Sequence, residues 1–192
     1  PAQGPWAQEQ GRGMTPEHLA ELLRGGEGLT VEFKRAREAL NRDIYETICA
    51  FLNQRGGTLV LGAADDGTVT GIAPEALAQM RKDLANTLHN PQKINPPMPL
   101  APEPVELDGQ TLLVLSVPES SQVHSCNNRI FSRNEDGDFD ITGHGQLLAE
   151  LYLRKQVGYS ENRIFPHVRL TDLRSDLIEG VRPNVRLQRA GH

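Results

Sequence analysis

Between Glu27 and Ile72 the hydrophobic period switches from strand to helix and back, and the switches are separated by too few residues for any long loop. From Leu29 to Lys34 apolar and polar residues alternate, which sets Leu29, Val31 and Phe33 on one face of a strand and Thr30, Glu32 and Lys34 on the other. From Arg42 to Leu52 the apolar positions Ile44, Ile48, Phe51 and Leu52 fall at helical spacing, with Tyr45 and Cys49 beside them and Asn41 in the N-cap place. Gly56-Gly57 ends that helix and releases a branched run, Thr58 to Ala63, that reads as a buried strand. Asp65-Asp66-Gly67 supplies turn chemistry, because Asp-Gly tolerates the positive φ of a tight hairpin, and Thr68 to Ile72 is expected to return as its partner. The order strand, helix, strand, strand predicts an α+β domain: a mixed sheet built from β-hairpins with helices packed on it.

The remaining segments extend this pattern. Residues 1–13 are rich in Gln, Gly and Pro without periodicity and read as a disordered leader or appended residues, with Met14 as the natural start. Thr15-Pro16 opens a short helix as cap and first position. A second helix begins at Pro74 and ends near Asn90-Pro91, with Leu77, Met80, Leu84 and Leu88 as its core stripe. The proline-rich stretch from Ile94 to Pro104 predicts an extended crossing. Hairpins follow around Asp108-Gly109, pairing 105–107 with 111–117, and around Asp136-Gly137, pairing 130–133 with 139–141. Gln146 to Gln156 reads as a helix, Tyr159 to Pro166 as an irregular arm and Leu170 to Val181 as a terminal helix. The expected organisation is a leader at 1–13, a domain at 14–156 and a basic C-terminal helical arm at 157–192.

Charge is uneven. The net value of −5 combines −9 over residues 1–150, from 12 basic and 21 acidic residues, with +4 over residues 151–192, from 8 and 4. Such asymmetry fits a nucleic-acid contact and equally a solvated helix face. No apolar run approaches the roughly 20 residues of a membrane helix. Two cysteines, Cys49 and Cys126, are too few for a disulfide framework, so a cytoplasmic protein without a membrane partner is expected. His124-Ser125-Cys126 has no second pair at zinc-ligand spacing, and no phosphate-loop motif marks an ATP site in the chain.

The segments Val31-Glu32-Phe33-Lys34, Cys49-Ala50-Phe51-Leu52-Asn53, Gly56-Gly57-Thr58-Leu59, Asp65-Asp66-Gly67-Thr68-Val69 and Gly71-Ile72 stand in an order and spacing that resembles the Schlafen-type AlbA-like domain, described in many bacterial proteins as DNA-binding. Arg129 to Arg133 and Tyr159 to Pro166 continue the resemblance, which covers nearly everything after Met14. It implies a Schlafen AlbA-like fold and a nucleic-acid-binding regulatory module at the N-terminus of a transcriptional-regulator-like protein. It also implies a missing downstream ATPase-type domain, with DNA or RNA as partner.

Two further readings stand beside this one. Eukaryotic Schlafen proteins use the fold as a metal-dependent endoribonuclease with two glutamates and an aspartate. That resemblance implies Glu27 and Glu32 as Mg²⁺ or Mn²⁺ ligands, Asp65 as the third acid and Lys34 as the stabiliser of the phosphate or leaving group. The family's Gly-hydrophobic-Asp step reads Gly62-Ala63-Ala64 here, so Asp65 is one place late, and in a strand one place reverses the face. Without that site, Asp65 and Asp66 are turn residues and Glu32 pairs with Lys34 or a basic neighbour. For binding, which needs no cofactor, Lys34, Arg35, Arg37, Arg42, Arg55, Arg129 and Arg133 form the candidate phosphate-tracking set; a mixed-charge surface with Glu32, Glu38, Asp43 and Glu46 is the bland alternative. The third reading is an assembly module, a homo-oligomer that positions the downstream domain through the apolar residues of the 159–166 arm. Binding is favoured over catalysis.

Overall fold

The computed structural model describes residues 13–161, with side chains through 156. The chain divides into two compact units, Pro1–Gln156 and Val157–His192. The expected leader, the arm beyond Glu161 and the terminal helix at 170–181 lie outside the described residues.

In chain order the elements are α1 (Pro16–Gly25), β1 (Val31–Lys34), α2 (Asp43–Asn53), β2 (Gly57–Leu61), α3 (Pro74–His89), β3 (Ile94–Asn95), β4 (Glu103–Leu107), β5 (Gln110–Val117), β6 (Ser125–Cys126), β7 (Phe131–Asn134), β8 (Gly137–Asp140) and α4 (Gly145–Glu161). Four strands form the main sheet in the order β1-β2-β5-β4. β1 runs parallel to β2 because α2 carries the chain back between them, and β5 pairs antiparallel with β2 and with β4. The result is a mixed α+β fold.

Alternation along the strands divides the core in two. On one face Phe33, Val60, Val105, Leu112 and Val114 meet Leu19 and Leu23 of α1. On the other, Leu59, Leu61, Leu113 and Leu115 meet Ile48, Phe51 and Leu52 of α2 and Met80, Leu84 and Leu88 of α3. The α3 stripe is core, as its spacing predicts. Among the described residues no helix is long and apolar enough to cross a membrane.

Four local expectations are corrected. The residue before α2 is Arg42, in helical conformation with no side-chain cap, not Asn41. Thr68 to Ile72 does not form a strand: only an Ala63–Val69 bridge and the bonds from Thr70 N and Gly71 N to Gly62 O (2.8 and 2.9 Å) tie it back. The reason is that β2 already has β1 on one side and β5 on the other. The Ile94–Pro104 stretch is partly paired, through β3 with β6 and β4 with β5. α4 continues to Glu161, so Tyr159 is helical rather than the start of an irregular arm.

Two polar junctions fix β7 and α4 against α2. The buried Asn53 amide donates to His124 O and Phe131 O (both 2.9 Å), and its oxygen accepts from His124 N (2.7 Å). At the C-terminal end of α2, where carbonyls lack helical partners, Arg154 donates to Asn53 O (2.7 Å) and Lys155 to Leu52 O (3.3 Å), Gln54 O (3.4 Å) and Glu119 (3.0 Å). Burial holds the Lys155 ammonium below its usual pKa, against the pull of Glu119.

Candidate functional site

Because Phe33 is committed to the α1 face, Glu32 and Lys34 project to the α2 face at the free edge of β1. There the β7–β8 hairpin lowers Arg133 onto them. The Arg133 side chain is only 4% exposed and donates to Glu32 Oε2 (2.5 Å) and Asp138 Oδ1 (2.7 Å). Its Nε and Nη2 also reach Gly28 O (3.2 and 2.9 Å), and Nη2 reaches Val31 O (3.4 Å), the two carbonyls of the Gly28–Val31 backbone bridge. Its plane lies over the Phe51 ring, 5.1 Å from the centroid.

The second oxygen of Glu32 receives Lys34 Nζ at 2.7 Å, and the same ammonium reaches Asp43 at 3.3 Å. Thr47 donates to Asp138 Oδ2 (2.5 Å). A buried charge survives only with its hydrogen-bonding sites filled, and here both oxygens of Glu32 and of Asp138 have donors. Burial opposes the Arg133 charge, but Asp138 and Glu32 outweigh it and raise its pKa. Lys34 is raised in the same way by Glu32 and Asp43 against burial.

Glu27 and Asp65 lie at the rim of this network. Glu27 accepts the Phe33 N–H (2.8 Å), which anchors it to β1. Burial raises its carboxyl pKa; the Phe33 bond pulls the other way, and the charges of Glu32 and Asp65 add to the rise. Glu27 is therefore within electrostatic reach of both other acids. They do not fit a metal centre. Among the described residues no group of three or more His, Cys, Asp or Glu could hold an ion. Both Glu32 oxygens are taken by cations. Ala64, at the place where the resemblance expects an aspartate, points its methyl into the core at 3% exposure, while Asp65 is exposed in the turn.

The basic candidates separate into two groups. Lys34 and Arg133 are tied into the acidic network, and the expectation that Arg133 contacts phosphate gives way to a structural role, since its guanidinium has no open side. Arg35, Arg37, Arg42, Arg55 and Arg129 are exposed. Arg35, Arg37 and Arg42 share the loop between β1 and α2, where Arg37 donates to Thr70 O (3.3 Å) and Arg42 meets Glu46 at 3.6 Å while 69% exposed. Arg55 lies two residues past the far end of the 11-residue α2, a helix roughly 16 Å long that separates it from Arg42. Arg129 pairs with Asp140 (2.5 Å) and lies over Phe131, 5.4 Å from its centroid.

Neither member of the His-x-Cys pair is a free ligand. His124 Nδ1 faces Pro96 O (2.8 Å), which can only accept, so Nδ1 carries the proton and Nε2 accepts from Ser120 (2.7 Å). Burial lowers the pKa of that ring, favouring its neutral form, and raises the Cys126 thiol. Cys49, buried beneath, is pushed up to about 12.

Sequence reasoning named neither Asp138 and Thr47 of the network at β1 nor Lys93. Lys93 joins Leu40, Arg42, Tyr45, Thr87 and Asn127 around a groove of about 490 Å³ between the start of α2, the end of α3 and the turn after β6. A single lysine in an unpatterned segment carries no signal; Asn127-Asn128, a pair suited to positive φ, marked only the turn.

Residues 27–142 match a family model described as Schlafen, AlbA_2. Among solved structures, the N-terminal domain of a RecG-related protein from Nitrosomonas europaea is 28% identical, with a TM-score of 0.43, over 55% of this chain and 74% of that one. The DIP2311 protein from Corynebacterium diphtheriae is 16% identical, with a TM-score of 0.45, over 58% of this chain and 25% of that one. Among curated proteins none matches.

Proposed function

Because this chain belongs to the Schlafen AlbA_2 family, we propose that it is a nucleic-acid-binding module, the recognition part of a larger regulatory protein. The observation that carries this reading is how the charges are sorted at β1. Glu32 and Asp138 are neutralised internally by Lys34 and Arg133. The adjoining loop from Arg35 to Arg42 is left with three exposed arginines against one acid, Glu38. A mixed-charge surface on paper thus becomes a locally basic one, suited to phosphate oxygens rather than base edges. DNA or RNA is the partner in this reading. Cytoplasmic location, self-association and coupling to a downstream ATPase-type domain belong to the same proposal. No side-chain geometry favours a metal-dependent ribonuclease.

Binding of labelled DNA and structured RNA across a salt series, with and without Mn²⁺, tests the reading. Affinity should fall steeply with salt, by a log–log slope of about 0.9 for each duplex phosphate neutralised. Arg35→Glu with Arg37→Glu should flatten that slope and weaken both ligands. Intact nucleic acid should be recovered in Mn²⁺. Binding that ignores salt and these two arginines, or Mn²⁺-dependent cleavage lost in Glu32→Gln, would overturn the proposal.

A further inference from the structure

We propose that the groove lined by Leu40, Arg42, Tyr45, Thr87, Lys93 and Asn127 is a subsite for one unstacked nucleotide of a single strand, with the base against Tyr45 and Leu40 and its phosphate between Arg42 and Lys93. This rests on the nucleic-acid-binding reading and gives it a ligand form. The volume, about 490 Å³, lies in the range of small-ligand sites, roughly 300–1,000 Å³, and so admits one base rather than a stacked pair of strands.

Its two cations are available. Arg42 is 69% exposed and held only by a long contact to Glu46 at 3.6 Å. Among the described residues no carboxylate lies within ion-pair distance of Lys93, which is also exposed. The phenol between them, Tyr45, is half-buried and packed against the core, and burial is the main cause of its raised pKa. An aromatic face stacks on any base, which makes such contacts tolerant of sequence. The rim is fixed: Asn127 and Asn128 both have positive φ (49° and 63°), and Asn127 N donates to Lys93 O (2.8 Å), so the turn and the lysine are placed together. Of the nearby acids, Asp83 accepts from Gln79 (2.7 Å) and Glu46 makes only the long contact to Arg42.

The test uses the full chain and fluorescence anisotropy with three labelled ligands of equal phosphate number: a single-stranded oligonucleotide, the same backbone with abasic sites, and a duplex. The base-bearing single strand should bind about tenfold more tightly than the abasic one. Tyr45→Leu should abolish that preference and Lys93→Gln should weaken both single strands several-fold, while the affinity of each variant for duplex stays within about twofold. Lys93 is exposed, so its variant remains informative if Tyr45→Leu does not fold. Equal affinity for base-bearing and abasic strands, or a single-strand affinity untouched by Lys93→Gln, overturns the subsite while the binding module stands. No binding to any of the three overturns both.

Discussion

Removing the Arg133 guanidinium would strand Glu32 and Asp138, two carboxylates of which one would keep Lys34 and the other only Thr47. Arg133→Met should therefore cost about 3–5 kcal/mol, read as a fall in the urea midpoint, and adding Glu32→Gln should restore part of it because one stranded charge is removed. Glu27 makes a pH prediction of opposite character. Its folded pKa is raised above 4.5 by burial first; hence its contribution is fully present below that value and is lost as pH rises through the raised pKa. Glu27→Gln keeps an oxygen for the Phe33 N–H, so its unfolding midpoint should gain on that of the wild type between about pH 4.5 and 7. A constant difference across that range would exclude the mechanism. The alternation at residues 29–34 was enough to place Glu32 and Lys34 together on one face. It could not show that Arg133 would be buried with them, because that partner lies 101 positions away in a short polar hairpin.

At the scale of elements, the joint between α2 and β2 is tightly constrained. Gly56 has φ +74°, and a Cβ there would lie 2.6 Å from Val117 O, a backbone atom of β5 that cannot swing aside. Gly56→Ala should cost about 2 kcal/mol or more, measurable by chemical denaturation. The glycine pair was legible for this reason, and so was α2, whose period is strong over 11 residues. What failed at this scale failed through competition between elements. Thr68 to Ile72 has strand-forming residues but arrives at a sheet whose β2 edge is filled on both sides. Asn41 has a capping side chain, but the chain enters α2 already helical at Arg42. The grip of Arg154 and Lys155 on the end of α2 joins segments about a hundred residues apart, for which local patterns give no cue.

For the whole molecule, a net charge of −5 coexists with a basic loop because Glu32 and Asp138 are ion-paired within the fold and the arginines of that loop lie outside it. Since the acids at β1 do not converge on a metal, EDTA should leave both the urea midpoint and the affinity for nucleic acid unchanged; a midpoint that falls with chelation and returns with Mn²⁺ would contradict the geometry. Family and fold class were legible because order and spacing are read along the chain. The acidic site was only half legible: Glu27 and Glu32 do lie on one edge, but the pairing of Glu32 depends on Arg133 of β7, itself held by Asp138 of β8. That separation also bears on synthesis. β1, α2 and β2 are complete by Leu61, whereas the guanidinium that balances Glu32 follows it by 101 residues. At about 5–20 residues per second, the newborn chain waits roughly 5–20 s with that carboxylate answered by Lys34 alone, an interval in which the unfinished edge of β1 is open to chaperones or to neighbouring nascent chains.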